Sequence, residues 1–148
     1  MISETATRVP SQTSAHVNQK ISQQAEERIQ HYRNESSDRI SQRLAELDRE
    51  WDVERTLQTN FATLSIIGAL LTATVSKRWA ILALGVPAFM VQHFLQGWCP
   101  PLAVLRRMGF RTAKEINDER FALKTLRGDF ANASQFQQAD DLITAVRK

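Results

Sequence analysis

From residue 56 to residue 105 the chain carries only two formal charges, the adjacent pair Lys77 and Arg78, and no carboxylate occurs from residue 55 to residue 114. Nothing else in the sequence restricts the fold so strongly. The basic pair separates two uncharged stretches, 21 residues over 56–76 and 20 over 79–98. As helices rising about 1.5 Å per residue, each would cover a hydrocarbon core of roughly 30 Å. A two-residue connection leaves room only for a tight turn, so the two helices must run antiparallel. The window therefore predicts a membrane hairpin over 56–98, with spans at about 57–76 and 79–98, bracketed on the second span by Trp79 and Trp98.

Bulk composition would hide this. With 24% charged and 43% hydrophobic residues in 148, and a mean hydropathy of -0.34, the average is that of one water-soluble domain, because the apolar residues are concentrated in the middle third. A soluble helical interaction domain with that third as its core is the competing reading, and the two span-length stretches weigh against it. The net charge of +3 is too small to imply nucleic acid, and no basic run interleaved with aromatics supports such a partner. One cysteine, Cys99, excludes an intrachain disulfide and leaves no Cys and His cluster for a metal.

The first span is only moderately apolar, because Thr59, Thr63, Ser65, Thr72 and Thr74 punctuate it. Ser65, Ala69 and Ala73 share a four-residue spacing, as do Gly68 and Thr72, and small residues so placed let a second helix approach closely. Pro87 interrupts the backbone bonding of the second span, where a kink is expected. Gln92, His93 and Gln96 follow it. Polar groups in hydrocarbon are costly unless paired, and the hydroxyl-bearing face of the first span is the expected source of partners. A cofactor-ligating or proton-handling role for His93 lacks a second histidine or carboxylate within either span.

Ahead of the hairpin, residues 1–13 are polar, contain Pro10, and are expected to be disordered. From 14 to 55 Val17, Ile21, Ala25, Ile29, Ile40, Leu44, Leu47 and Trp51 recur at helical steps, predicting a long cytoplasmic amphipathic helix. Asn34, Glu35, Ser36, Ser37 and Asp38 predict a kink or local break in it. Three roles are open to the apolar stripe: self-association or a partner helix, packing on the chain's own C-terminal helices, or contact with lipid headgroups. The mixed acids and bases of the polar face argue against the last.

Residues 99–148 read as a cytoplasmic helical region. Pro100 and Pro101 suit the first positions of a helix over 102–108, which Gly109 ends. Thr112 with Glu115 forms a capping box opening a helix through Ile116, Leu123 and Leu126 to Gly128. Ser134 with Gln137 suggests a last helix carrying Phe136, Ala139, Ile143 and Val146. Arg43, Arg49, Arg55, Arg106, Arg107, Arg111 and Lys114 flank the outer ends of the spans against two bases in the turn, which places both termini in the cytoplasm.

Catalytic signatures are missing from the sequence: it has no Gly-rich phosphate loop, no His and Glu metalloprotease motif and no nucleophile elbow. No catalytic residue, cofactor, metal or small-molecule substrate is therefore expected. Cys99 is the one candidate reactive thiol, with Arg106 and Arg107 close in sequence. A small buried hydrophobe, a redox or sulfur-handling group and a cofactor ligand are its alternative roles.

Gly97, Trp98, Cys99, Pro100 and Pro101 at the hairpin exit, then Gly109 and Thr112, with Glu54 and Arg55 before the first span, resemble the YgaP-like transmembrane-domain family of bacteria. The likeness covers about 51–112, and the wider stretch 97–130 is similar to a subgroup of bacterial membrane proteins with this hairpin. It implies an inner-membrane hairpin that can pair as a dimer. Some members of that family carry a rhodanese domain, for which this chain has neither the cysteine loop nor the α/β fold, and Pro101 with the arginine-bearing segment before Gly109 departs from the family's pattern. The expectation is an all-α, multi-pass membrane protein of the bacterial inner membrane. Its antiparallel transmembrane hairpin would carry a long N-terminal amphipathic helix and short C-terminal helices, for assembly or scaffolding with the lipid bilayer, a second copy or a membrane-protein partner. A sulfur or redox relay through Cys99 is the alternative.

Overall fold

A computed structural model describes Glu4, residues 6–131, Ile143 and Val146. Among these residues the chain is all-helical: α1 Arg8–Ser11, α2 Ala15–Tyr32, α3 Ser37–Leu47, α4 Val53–Thr74, a 3-10 turn Lys77–Trp79, α5 Ala80–Gln96, α6 Pro100–Arg107 and α7 Ala113–Arg127. The last helix expected from Ser134 and Gln137, with Phe136 and Ala139, lies outside the described residues; Ile143 and Val146 have helical backbone.

The predicted N-terminal rod is not one helix. It breaks after Tyr32, where the Ser36 side chain accepts from the Arg39 amide and starts α3, and again after Leu47, where Asp52 accepts from the Arg55 amide at 2.6 Å and starts α4. Short oxygen-bearing side chains at these two positions satisfy amides that a continuous helix would bond internally, so each one opens a new helix. The rod and the first span are consequently separate elements.

Two compact units divide the chain differently from the four consecutive segments expected. The first combines Met1–Ile21 with Trp51–Lys114, the second Ser22–Glu50 with Glu115–Lys148.

In the first unit α4 and α5 pack side by side around the 3-10 turn. They approach closely at Gly68, where an added Cβ would lie 2.7 Å from the Ala83 amide nitrogen. Only a residue without a side chain lets the backbones come this near. The core of this unit gathers at the other end of the hairpin: Val9, Val53, Leu57, Phe61, Cys99 and Leu102, with Val86, Met90, Leu105 and Phe110 against them. Val9 belongs to the segment expected to be disordered. That expectation is corrected, because α1 places this valine in the core at 3% exposure.

α5 continues through Pro87. Counted from the 3-10 turn, Lys77–Gln96 is long and apolar enough to cross a membrane, and only 6% of its most apolar window is buried. It is the one such helix among the described residues. α4, at 22 residues, has the length, but Gln58, Asn60 and its threonines dilute it. Of the two spans expected from the charge-free window, one is thus a candidate by length and composition, and the other is the moderately apolar companion its threonines predicted.

In the second unit Ile40, Leu44 and Leu47 of α3 bury against Ile116 and Leu123 of α7, with Tyr32 beside them. That part of the apolar stripe is used within the chain, the second of the three roles open to it. Trp51, at the end of the stripe, is exposed and stacks under the Arg55 guanidinium.

Candidate functional site

Antiparallel packing puts the first turn of α4 beside the last turn of α5, and this is where the polar chemistry collects. Glu54, in that first turn, and His93, in that last turn, meet with Oε2 and Nε2 at 3.0 Å. Arg8 of α1 donates through one terminal nitrogen to the other carboxylate oxygen at 2.9 Å, and through its second to the Phe94 carbonyl at 3.1 Å. Its guanidinium also lies over the Phe94 ring.

Burial is asymmetric. The His93 side chain is fully buried, whereas Arg8 and Glu54 keep 18% and 21% exposure. Burial works to raise the Glu54 carboxyl, but hydrogen bonds from His93 and Arg8 outweigh it and hold the group below the ordinary 4.5.

Cys99 belongs to the apolar core of the same unit. It is the residue before α6 and is fully buried there. His93 Nδ1 has no conventional hydrogen-bond partner, and neither does Arg8 Nε. Gly97 makes this arrangement possible: it ends α5 with φ +74, and a Cβ there would lie 2.7 Å from the Arg8 carbonyl oxygen. Any other residue would be strained and would also push α1 away.

A second polar knot lies in the same unit. Arg106, buried to 1% exposure, donates to Asn18 Oδ1 at 2.9 Å, the Phe110 carbonyl at 3.0 Å and Thr13 Oγ1 at 3.3 Å. Its guanidinium joins the start of α2 to α6 and the turn after it. The sequence placed Arg106 near Cys99 as an activator of the thiol; the guanidinium holds Asn18, the Phe110 carbonyl and Thr13. Arg107 is exposed.

The expected hydroxyl partners of the second span are also corrected. Thr59, Thr63, Ser65, Thr72 and Thr74 each donate to the carbonyl four residues back on α4 itself, at 2.7 to 2.9 Å. Such back-bonding satisfies the hydroxyl locally and needs no second helix. His93 is served by a carboxylate one residue into α4, just outside the predicted span. Of the other residues singled out for hairpin packing, Gly68 is buried at the α4–α5 contact, Ser65, Thr72 and Gln92 are half-buried, and Ala69 and Gln96 are exposed. In the exit motif Gly97, Cys99 and Thr112 are buried, while Trp98, Pro100, Pro101 and Gly109 are exposed.

Compared with protein-family models, curated proteins and solved structures, the chain matches none. The family resemblance rests on its motifs alone. Among the described residues, no group of three or more His, Cys, Asp or Glu side chains is arranged to hold a metal ion.

Arg8 escaped the sequence reading altogether, since nothing distinguishes one arginine in a polar N-terminus. Glu54 was visible only through the resemblance. The signal that could have found it is positional: the carboxylate nearest the first span faces, in an antiparallel hairpin, the last polar residues of the second.

Among the described residues of the second unit, Glu119 is a buried carboxylate. It accepts from Arg28 Nε at 3.0 Å and from Arg43 Nε and a terminal nitrogen at 3.1 and 2.9 Å. Both arginines come from the predicted rod, so this carboxylate ties α2 and α3 to α7. Its lone pairs are occupied by guanidinium groups, which suits it to a structural role.

Proposed function

We propose that the protein is a non-enzymatic anchor of the bacterial inner membrane. Its α4–α5 hairpin inserts with both termini on the cytoplasmic side, and the helices outside the bilayer serve assembly with a second copy or a membrane-protein partner. The observation that carries this reading is the belt of large apolar side chains left uncovered on the hairpin. Leu64, Ile66, Ile67 and Leu70 are exposed on α4, and Phe89, Val91 and Leu95 on α5, together with Ile81 at 81% and Leu84 at 73%.

Burying a side chain of this kind is worth roughly 1.5–3 kcal/mol. A contiguous belt of them marks a surface that meets lipid or a partner rather than water. The charged and ion-paired groups are confined to the ends: Lys77 and Arg78 at the turn, Arg8, Glu54 and His93 at the other end. Trp79 and Trp98 are exposed near the two ends of α5, as interfacial tryptophans are. α4 supplies the weaker span, its hydroxyls satisfied within the helix and its backbone held close to α5 at Gly68.

Carbonate washing of membranes tests the anchor: the protein should stay in the pellet, and a tag at either end should be digested only from the cytoplasmic face. Recovery in the supernatant would instead support a soluble helical domain whose apolar belt is covered by a protein partner. Cross-linking from α2 in membranes should trap a dimer or a defined partner, and a monomer throughout would remove the assembly role.

A further inference from the structure

We propose that the half of α5 next to the turn carries a binding site for an anionic phospholipid, its phosphate on Arg78 and one acyl chain laid along Ile81, Gly85 and Phe89. The site rests on the membrane reading of the hairpin and adds a headgroup and a position to it. An open groove of about 460 Å³ runs over this part of the helix, walled by Trp79, Ile81, Leu82 and Phe89, with Gly85 among them and Arg78 beside them. Its volume is that of a ligand-binding cleft. The walls are apolar and the one charged side chain lining them is a cation. A groove of this kind takes a ligand with an alkyl body and an anionic end.

Gly85 is what opens the groove. Ile81, Gly85 and Phe89 follow one another at four-residue steps and so lie along one face of α5. The missing side chain leaves a notch between two large ones. Packing within the chain does not require it: a Cβ at Gly85 would meet nothing within 4 Å, whereas one at Gly68 would strike the Ala83 amide. Glycine weakens a helix interior, so a glycine that no neighbour in the chain demands suits a partner from outside it. The length of the groove agrees with an acyl chain. From Arg78 to Phe89 the helix rises about 16 Å, which is half of a hydrocarbon core of roughly 30 Å and hence the depth of one leaflet.

Charge selects the headgroup. Lys77 and Arg78 are both exposed, and no carboxylate from residue 55 to residue 114 is present to neutralise them within the hairpin. A guanidinium grips phosphate through two parallel N–H donors, and basic residues at a membrane surface attract anionic lipid. A zwitterionic lipid would bring its own ammonium beside these two cations and cancel much of that attraction. A second copy is a poorer occupant. A two-fold axis along the membrane normal would set its Arg78 at the same depth, and two guanidinium groups would then share one apolar groove.

The test uses the full chain in phosphatidylcholine vesicles, with Trp51→Phe and Trp98→Phe leaving Trp79 as its one tryptophan. Trp79 fluorescence is titrated with phosphatidylglycerol brominated on its acyl chains and, separately, with phosphatidylcholine brominated at the same carbons. Phosphatidylglycerol should reach half-maximal quenching at a mole fraction about 5-fold lower, the preference that one basic residue confers beside an anionic headgroup. Arg78→Gln should abolish that preference. Gly85→Leu, which fits the fold, fills the groove and leaves both bases in place, should abolish it too. Equal quenching by the two lipids, or a preference that survives either variant, overturns the site; survival in Gly85→Leu would mean headgroup attraction without a groove. Disulfide cross-linking of Gly85→Cys on a Cys99→Ser background would also overturn it, by placing a second copy there. Failure of the anchor itself reads differently, as a carbonate-soluble protein whose Trp79 neither lipid quenches, and overturns the site with it.

Discussion

At the scale of single residues, Glu54 carries the most consequence. It is the shared acceptor of Arg8 and His93, so removing its charge strands two donors at once, one of them wholly buried. Breaking such a pair from one side costs more than the pair contributes, and Glu54→Gln should lower stability by about 3 kcal/mol in chemical denaturation. The pH dependence has a definite sign. The folded carboxyl sits below its ordinary 4.5, so the native state binds fewer protons than the unfolded chain between those two values. The stabilisation is present above about pH 4.5 and is lost as pH falls through the folded value. Denaturation midpoints from pH 6 downward should therefore converge for wild type and Glu54→Gln, and a constant gap between them would show that the carboxylate's charge is not what matters. Gly97→Ala is a second test at this scale. A methyl group 2.7 Å from the Arg8 carbonyl oxygen, on a backbone at φ +74, should dislodge α1 and make Cys99 alkylate faster.

At the scale of elements, the hairpin and the broken rod obey different rules. α4 and α5 meet through backbone proximity, so their contact is sensitive to added volume. Gly68→Leu cannot be accommodated with the Ala83 amide in its present place and should separate the helices at a cost of about 1–3 kcal/mol. Cysteine pairs introduced across this contact on a Cys99→Ser background should then cross-link poorly. α3 and α7 meet through ordinary side-chain burial, where loss of volume is what hurts. Leu123, fully buried, should cost about 2–5 kcal/mol when replaced by alanine, measured by denaturant unfolding. The breaks in the rod were only half legible. The run of Asn, Ser and Asp after Tyr32 announced the first, but the second, at Asp52, was masked by the continuing apolar period through Trp51. Periodicity reports which face is apolar and is blind to a chain that stops and restarts in phase.

At the scale of the whole molecule, each unit joins stretches far apart in sequence. Residues 1–13 illustrate the consequence: read as a polar tail, they contribute Val9 to a core built mainly from residues 53–102 and Arg8 to its polar cluster. Deleting them should lower the thermal midpoint of the full chain measurably and raise the rate of Cys99 alkylation; an unchanged melt would return them to the status of a tail. Glu119 makes the same point in the second unit, since its partners Arg28 and Arg43 lie 91 and 76 residues away.

What the sequence determined by itself is what depends on local pattern: the all-helical class, the charge-free hairpin window with its basic turn, the helix starts at Pro100 and Thr112, and the apolar face of α3. These follow from periodicity, propensity and the exclusion of charge, each readable within a few turns of chain. Tertiary structure alone decided which polar groups meet. That His93 finds Glu54 rather than a threonine, that Arg106 finds Asn18 rather than Cys99, and that an undistinguished Arg8 closes the cluster are matters of three-dimensional register. A buried polar group takes the partner that packing brings within about 3 Å, and no one-dimensional spacing encodes that distance across 39 or 86 residues.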